Sequence, residues 1–220
     1  MKHSIEVDSI ILNNEELLLE NKNIKSIEVS GKCILNLFNC NIIDLEINIQ
    51  DNASLIVNYF NNINELNSRI VVKANNKSSF ILNHSFINKG KYNLNIYTDF
   101  IKEEANIVVN INGINDGGKL NADVNGYVHT DKLNNVLDEN MRIINLNNGL
   151  VMSNPNMYIS TSKVIANHNT TIGGVRLDEL FYLMSKGIDK KEATNLIIKG
   201  FIIKIIDNKK LQNKITDLIN

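Results

Sequence analysis

The stretch that decides the fold runs from Ile70 to Val124 and reads IVVKANNKSS FILNHSFINK GKYNLNIYTD FIKEEANIVV NINGINDGGK LNADV. Apolar residues recur with period two: Ile70, Val72 and Ala74; Phe80 and Leu82; Tyr92, Leu94 and Ile96; Ile107, Val109 and Ile111; Leu120, Ala122 and Val124. That period is the mark of strands with one buried face. Clusters that favour turns separate them: Asn75-Asn76-Lys77, Asn88-Lys89-Gly90 and Asp116-Gly117-Gly118. Starts about 12 residues apart fit a sandwich, a barrel or a solenoid. A hairpin sandwich favours two-residue Asn-Gly or Asp-Gly turns. Here most gaps are longer and lack glycine. Asparagine-rich corners between short strands fit a β-helix better, because stacked coils let asparagines form ladders.

Working outward, asparagine composition divides the chain. Of 40 asparagines, 36 precede residue 170 and 4 follow it. Asparagine forms helices poorly and turns well, so the drop marks a change of structural class. An AT-rich genome would also raise Asn together with the 34 isoleucines and the lysines, but it would not spare the last fifty residues. There the period becomes helical. Leu177, Leu180, Phe181 and Met184 form one stripe, and Gly187 ends that helix. Asp189 caps a second helix, with Glu192 three residues on and a stripe of Ala193, Leu196, Ile197, Gly200 and Phe201. Ile198, Ile202 and Ile205 give it a second apolar face. Leu211, Ile215, Leu218 and Ile219 mark a third helix. One apolar face of the second helix packs on the β part; the other meets neighbouring helices or docks a partner protein.

Composition also excludes. Lys+Arg 23 against Asp+Glu 24 gives a net charge of −1, which argues against a nucleic-acid or anionic-membrane binder. No apolar run approaches membrane-spanning length, and MKHSIEVDSI lacks the apolar core of a secretion signal. Two cysteines make no disulfide framework, so the expected compartment is the cytoplasm. Cys33 shares strand parity with Leu35 and Leu37 and reads as a buried free thiol; Cys40 stands seven positions on. His84 follows the Phe80/Leu82 parity as a core histidine. His129 falls in a loop, and His3 stands apart. The pairs Glu15-Glu16 and Glu103-Glu104 read as solvated. Gly117-Gly118 and Gly173-Gly174 lack the Lys-Ser/Thr of a phosphate loop, and no nucleophile elbow occurs.

The junction carries a resemblance. Lys163-Val164-Ile165-Ala166-Asn167-His168-Asn169-Thr170-Thr171-Ile172-Gly173 is followed by Leu177-Asp178-Glu179-Leu180-Phe181-Tyr182-Leu183-Met184-Ser185-Lys186-Gly187. With Glu192-Ala193, Gly200-Phe201 and the upstream Asn154-Pro155-Asn156-Met157-Tyr158-Ile159, this resembles the SufB/SufD family over about residues 141–206. The resemblance implies a right-handed parallel β-helix over residues 1–172, then a C-terminal α-helical segment over 173–220. It also implies a non-enzymatic scaffold of a SUF-type iron–sulfur cluster assembly complex. The implied partners are a SufC-like ABC ATPase and a second SufB/SufD-type subunit or a second copy. The ATPase is expected to dock on Leu177, Leu180, Phe181, Met184, Leu196 and Phe201.

His168 aligns with a family histidine at the interface between core subunits, which implies a ligand for iron or a transient iron–sulfur cluster, with no stably bound cofactor. Read from the residues alone, it is also a polar end-of-strand residue hydrogen-bonded at the β-to-α junction. Cluster-building members often carry Cys where this chain has Ala166. Compact members carry a Glu nearby, with a Cys earlier on the strand; this chain has Ile165 and Tyr158-Ile159 there. That points to a SufD-like supporting role, or to a paralogue with only a structural one. The family's N-terminal region is expected to be missing or reduced. A carbohydrate-active β-helix enzyme is the competing class, but three arginines and dispersed acids suit it poorly.

Overall fold

The computed structural model describes residues 5–219; His3 lies outside them. Fourteen strands alternate between two sheets. One sheet holds β1 (Ile5–Asn13), β3 (Lys22–Ser30), β5 (Asp44–Ile49), β7 (Glu65–Ala74), β9 (Lys91–Phe100), β11 (Lys119–Val128) and β13 (Leu150–Ile159), in that order. The other runs from β2 (Glu16–Glu20) through β4 (Lys32–Phe38), β6 (Ser54–Asn61), β8 (Ser79–Asn88), β10 (Asn106–Asp116) and β12 (Asn135–Leu146) to β14 (Val164–Gly173). The strand pairs are parallel. Each strand therefore pairs with the next-but-one in sequence. That makes a solenoid with two strands per coil, the β-helix expected from the sequence, and not a sandwich of hairpins.

Inward residues of both sheets form one continuous core, including Leu35, Val57, Leu82, Val109 and Leu137 from one sheet and Ile47, Val72, Leu94 and Ala122 from the other. Coil length is not constant. Val7 registers with Ile24, 17 residues on, whereas Lys119 registers with Leu150, 31 residues on. Progressive lengthening removes any fixed sequence period.

Asparagine serves two purposes here. Seven of the nine non-glycine residues in left-handed backbone among the described residues are Asn: 14, 21, 39, 52, 134, 147 and 148. Its short amide tolerates that conformation at coil corners. A second set forms ladders up the stack. Asn58 Nδ2 donates to Asn36 Oδ1 at 3.0 Å, Asn83 to Asn58 at 3.1 Å, Asn110 to Asn83 at 3.0 Å and Asn140 to Asn110 at 3.4 Å. A shorter ladder joins Asn88, Asn115 and Asn145. The sole proline, Pro155, sits in β13, an edge strand, where a missing N–H costs least.

The chain ends in α1 (Leu177–Ser185), α2 (Lys190–Ile203) and α3 (Lys209–Ile219). Asp189 caps α2 by accepting from the amides of Lys191 and Glu192, as its spacing predicts. Gly187, at φ +87°, closes α1 in left-handed backbone. Helices α2 and α3 fold back over the outer face of the β2–β14 sheet. Ile202, Ile206, Leu211 and Ile215 pack there on Phe60, Ile114 and Ile144. The sheet also satisfies carbonyls in the last turn of α2: Ser85 Oγ donates to Ile202 O and Asn112 Nδ2 to Phe201 O, both at 2.8 Å. Asn58 Oδ1 accepts from the Asp207 amide at 3.1 Å, tying the Asn ladder to the helices.

Candidate functional site

The solenoid ends at β13 and β14, and each leaves one edge without a strand. Such an edge is a template for pairing with another chain. Apolar side chains are exposed on this last coil: Leu150, Met152, Tyr158, Ile165 and Ile172. His168 lies in the middle of β14. It shares the phase of Val164 and Ala166, which pack against the core, yet it is exposed because no further coil covers it. Among the described residues its imidazole has no hydrogen-bond partner.

The register partner of His168 on the preceding coil is Glu139. Glu139 occupies the inward phase of β12 between Leu137 and Met141 and is 3 % exposed. Among the described residues neither carboxylate oxygen has a hydrogen-bond partner. Burial alone pushes its pKa up to about 7. The carboxylate reaches across the interior to the opposite sheet: a Cβ placed on Gly126 would lie 2.9 Å from Glu139 Oε1. Thr98 Oγ1, also buried without a partner, lies 3.4 Å from the same point. Sequence reasoning overlooked Glu139. The signal was present as a carboxylate in the apolar phase of the strand, between Leu137 and Met141. The last two strands of this sheet thus set an exposed histidine in register with a buried glutamate that has no partner among the described residues. Among the described residues no group of three or more His, Cys, Asp or Glu side chains converges as a metal site. His168 and Glu139 are at most part of one.

The helical stripes divide into two sets. Leu177 (63 %), Phe181 (61 %), Met184 (39 %) and Leu196 (43 %) are exposed, and so is Tyr182, which the stripe reading missed. Leu180 is 5 % exposed and faces inward. Phe201 is half-buried against the sheet, beneath the Arg142 guanidinium at 5.6 Å. A groove of about 520 Å³ between α1 and α2 is lined by Asp178, Glu179, Tyr182, Leu183, Leu196 and Ile197.

The other candidates are structural. Cys33 and Cys40 are buried free thiols, and burial raises the Cys40 pKa. His84 is fully buried: its Nε2 lies 2.8 Å from Tyr92 Oη and its Nδ1 3.2 Å from Tyr59 O, and burial pulls its pKa down to about 4. His129 sits 3.1 Å from Asp99 on the surface. Glu16 is exposed, as expected, and accepts from Asn36 and Asn208.

Comparison with known proteins finds similarity at this junction. Residues 139–201 match the SufBD core domain of the SUF system for FeS cluster assembly. The SufB/SufD resemblance is thus borne out from Glu139 in β12 to Phe201 in α2. A 55-residue segment is 40% identical to the iron–sulfur cluster assembly protein SufD of Bacillus subtilis, covering 25% of this chain and 13% of that protein. A 48-residue segment is 40% identical to a SufBD family protein of Pyrococcus horikoshii, covering 22% and 11%. A SufBD family protein of Synechocystis is 33% identical over 57 residues, 26% and 13%. The matched segments span about an eighth of each relative. Among the described residues no helix is long and apolar enough to cross a membrane.

Proposed function

We propose that this chain is a non-enzymatic core subunit of a SUF-type iron–sulfur cluster assembly complex. One observation carries the reading: the SufBD core match covers most of β12, all of β13 and β14, α1 and most of α2. Those are the elements that hold the open solenoid end and the exposed helical groove. A SufC-like ABC ATPase docks on the groove, with Leu177, Phe181, Tyr182, Met184 and Leu196 as contacts. Leu180 and Phe201 support that face from within. The free edges of β13 and β14 pair with a second SufB/SufD-type subunit or a second copy.

Iron and sulfide are cargo in this scheme. His168 offers an imidazole nitrogen, a good ligand for iron, and Glu139 a carboxyl oxygen on the register-paired residue. With Ala166 in place of a thiolate, the set is incomplete until a partner adds its own ligands, which suits a SufD-like supporting role. Co-expression with the ABC ATPase of the same genome tests the docking. The two should co-purify, and Phe181→Asp and Tyr182→Asp should each abolish this with unchanged circular dichroism. A wild-type chain that fails to retain the ATPase, or variants that retain it, would refute the docking surface. Phe201→Asp is a poor probe, since it places a charge in the layer between α2 and the sheet.

A further inference from the structure

Two of the chain's three arginines meet in one cleft. Arg142 on the outer face of β12, Arg176 just before α1, and Lys204 at the end of α2 line a space of about 260 Å³. Among its described lining residues Glu179 is the only acid, and it lies 3.4 Å from Arg176. Arg176 is further held by Asp178, at 2.6 Å and 3.2 Å. Arg142 and Lys204 differ: among the described residues neither has a carboxylate partner. The Arg142 guanidinium is oriented by the Phe201 ring beneath it, at 5.6 Å. Gly174 and Gly200 also line the cleft, and a Cβ on either would meet nothing within 4 Å, so backbone is approachable there.

A planar guanidinium stacked on an aromatic ring, an ammonium group and accessible glycine backbone lining one cleft suit a compact, multiply charged oxyanion. The volume admits a phosphate or diphosphate group with little else. We propose that this cleft binds a phosphate-type oxyanion, with Arg142 and Lys204 as its charge partners. The ligand is either the free ion or the phosphate end of a small metabolite. The inference stands independently of the SUF reading, because it rests on charge and geometry alone.

Titration of the full chain with inorganic phosphate and with pyrophosphate at constant ionic strength, followed through backbone amide shifts, tests it. Saturable shifts should centre on Gly174 and Gly200. Arg142→Gln and Lys204→Gln should each weaken binding about tenfold, the loss expected for one charge-assisted hydrogen bond. Arg69→Gln, on the opposite sheet, should bind as wild type. Tighter binding of pyrophosphate would favour the end of a larger metabolite, and equal binding the free ion; either supports the cleft. Unsaturable shifts scattered over the surface, or cleft variants that bind like wild type, would overturn it. Both substituted side chains are exposed, so unchanged thermal unfolding is expected and separates loss of binding from loss of fold.

Discussion

Replacing Glu139 by Gln should stabilise the metal-free protein at high pH and leave its stability unchanged at low pH. The carboxylate is buried with no partner for either oxygen among the described residues. Its pKa rises from 4.5 to about 7 in the fold. Between those values the folded chain holds a proton that the unfolded chain has released. Stability is therefore full below pH 4.5 and is lost as pH rises through 7. A shift of this size corresponds to about 3 kcal/mol above pH 7. Gln keeps the shape and removes the charge. Urea unfolding at pH 8 should then show the variant more stable by up to about 3 kcal/mol, with the gap closing by pH 4.5. A gap independent of pH, or a variant less stable at pH 8, would mean that the carboxylate has a partner in solution and that the burial argument is wrong. A chain that keeps so unfavourable a group beside His168 fits a role for it beyond folding, as functional sites often carry such costs.

Further outcomes follow from the same structure. His84 is depressed from 6.5 to about 4, so it destabilises the fold as pH falls from 6.5 toward 4, by about 3 kcal/mol; acid unfolding of His84→Gln should have a flatter slope over that window. Asn83→Ala removes one ladder bond on each side and should cost about 2 kcal/mol by chemical unfolding, whereas Asn195→Ala, exposed on α2, should cost under about 0.5 kcal/mol. Gly126→Ala places a methyl group 2.3 Å from Leu137 Cδ2 and should lower stability by about 1–3 kcal/mol in the same assay. Cys33 and Cys40, at 3 % and 0 % exposure, should react with a thiol reagent only after denaturant is added.

Much of the architecture could be read from the residues because period-two strands and asparagine corners both report local geometry. Ile107, Val109 and Ile111 point inward as their spacing requires, and Asp189 caps α2 from its own sequence context. The coil period could not be read, since it drifts from 17 to 31 residues. Which face of α2 is buried depends on contacts with residues far away in sequence. Phe201 shares a stripe with Leu196, but its backbone carbonyl bonds to Asn112 and its ring lies under Arg142, which helical spacing does not reveal. The site was half visible. His168 stood in a recognisable motif, whereas its register partner Glu139, 29 residues earlier, becomes its neighbour only when the coils stack.

The most direct test of the scaffold reading is anaerobic reconstitution with ferrous iron and sulfide of the proposed complex of this chain with an ABC ATPase and a second core subunit, followed by absorption and Mössbauer spectroscopy. An iron–sulfur spectrum should form in the complex, and its yield should fall sharply in His168→Ala and Glu139→Gln while the complex itself still assembles. Equal cluster yield in both variants, or no cluster in an intact complex, would contradict the assignment of the terminal coil.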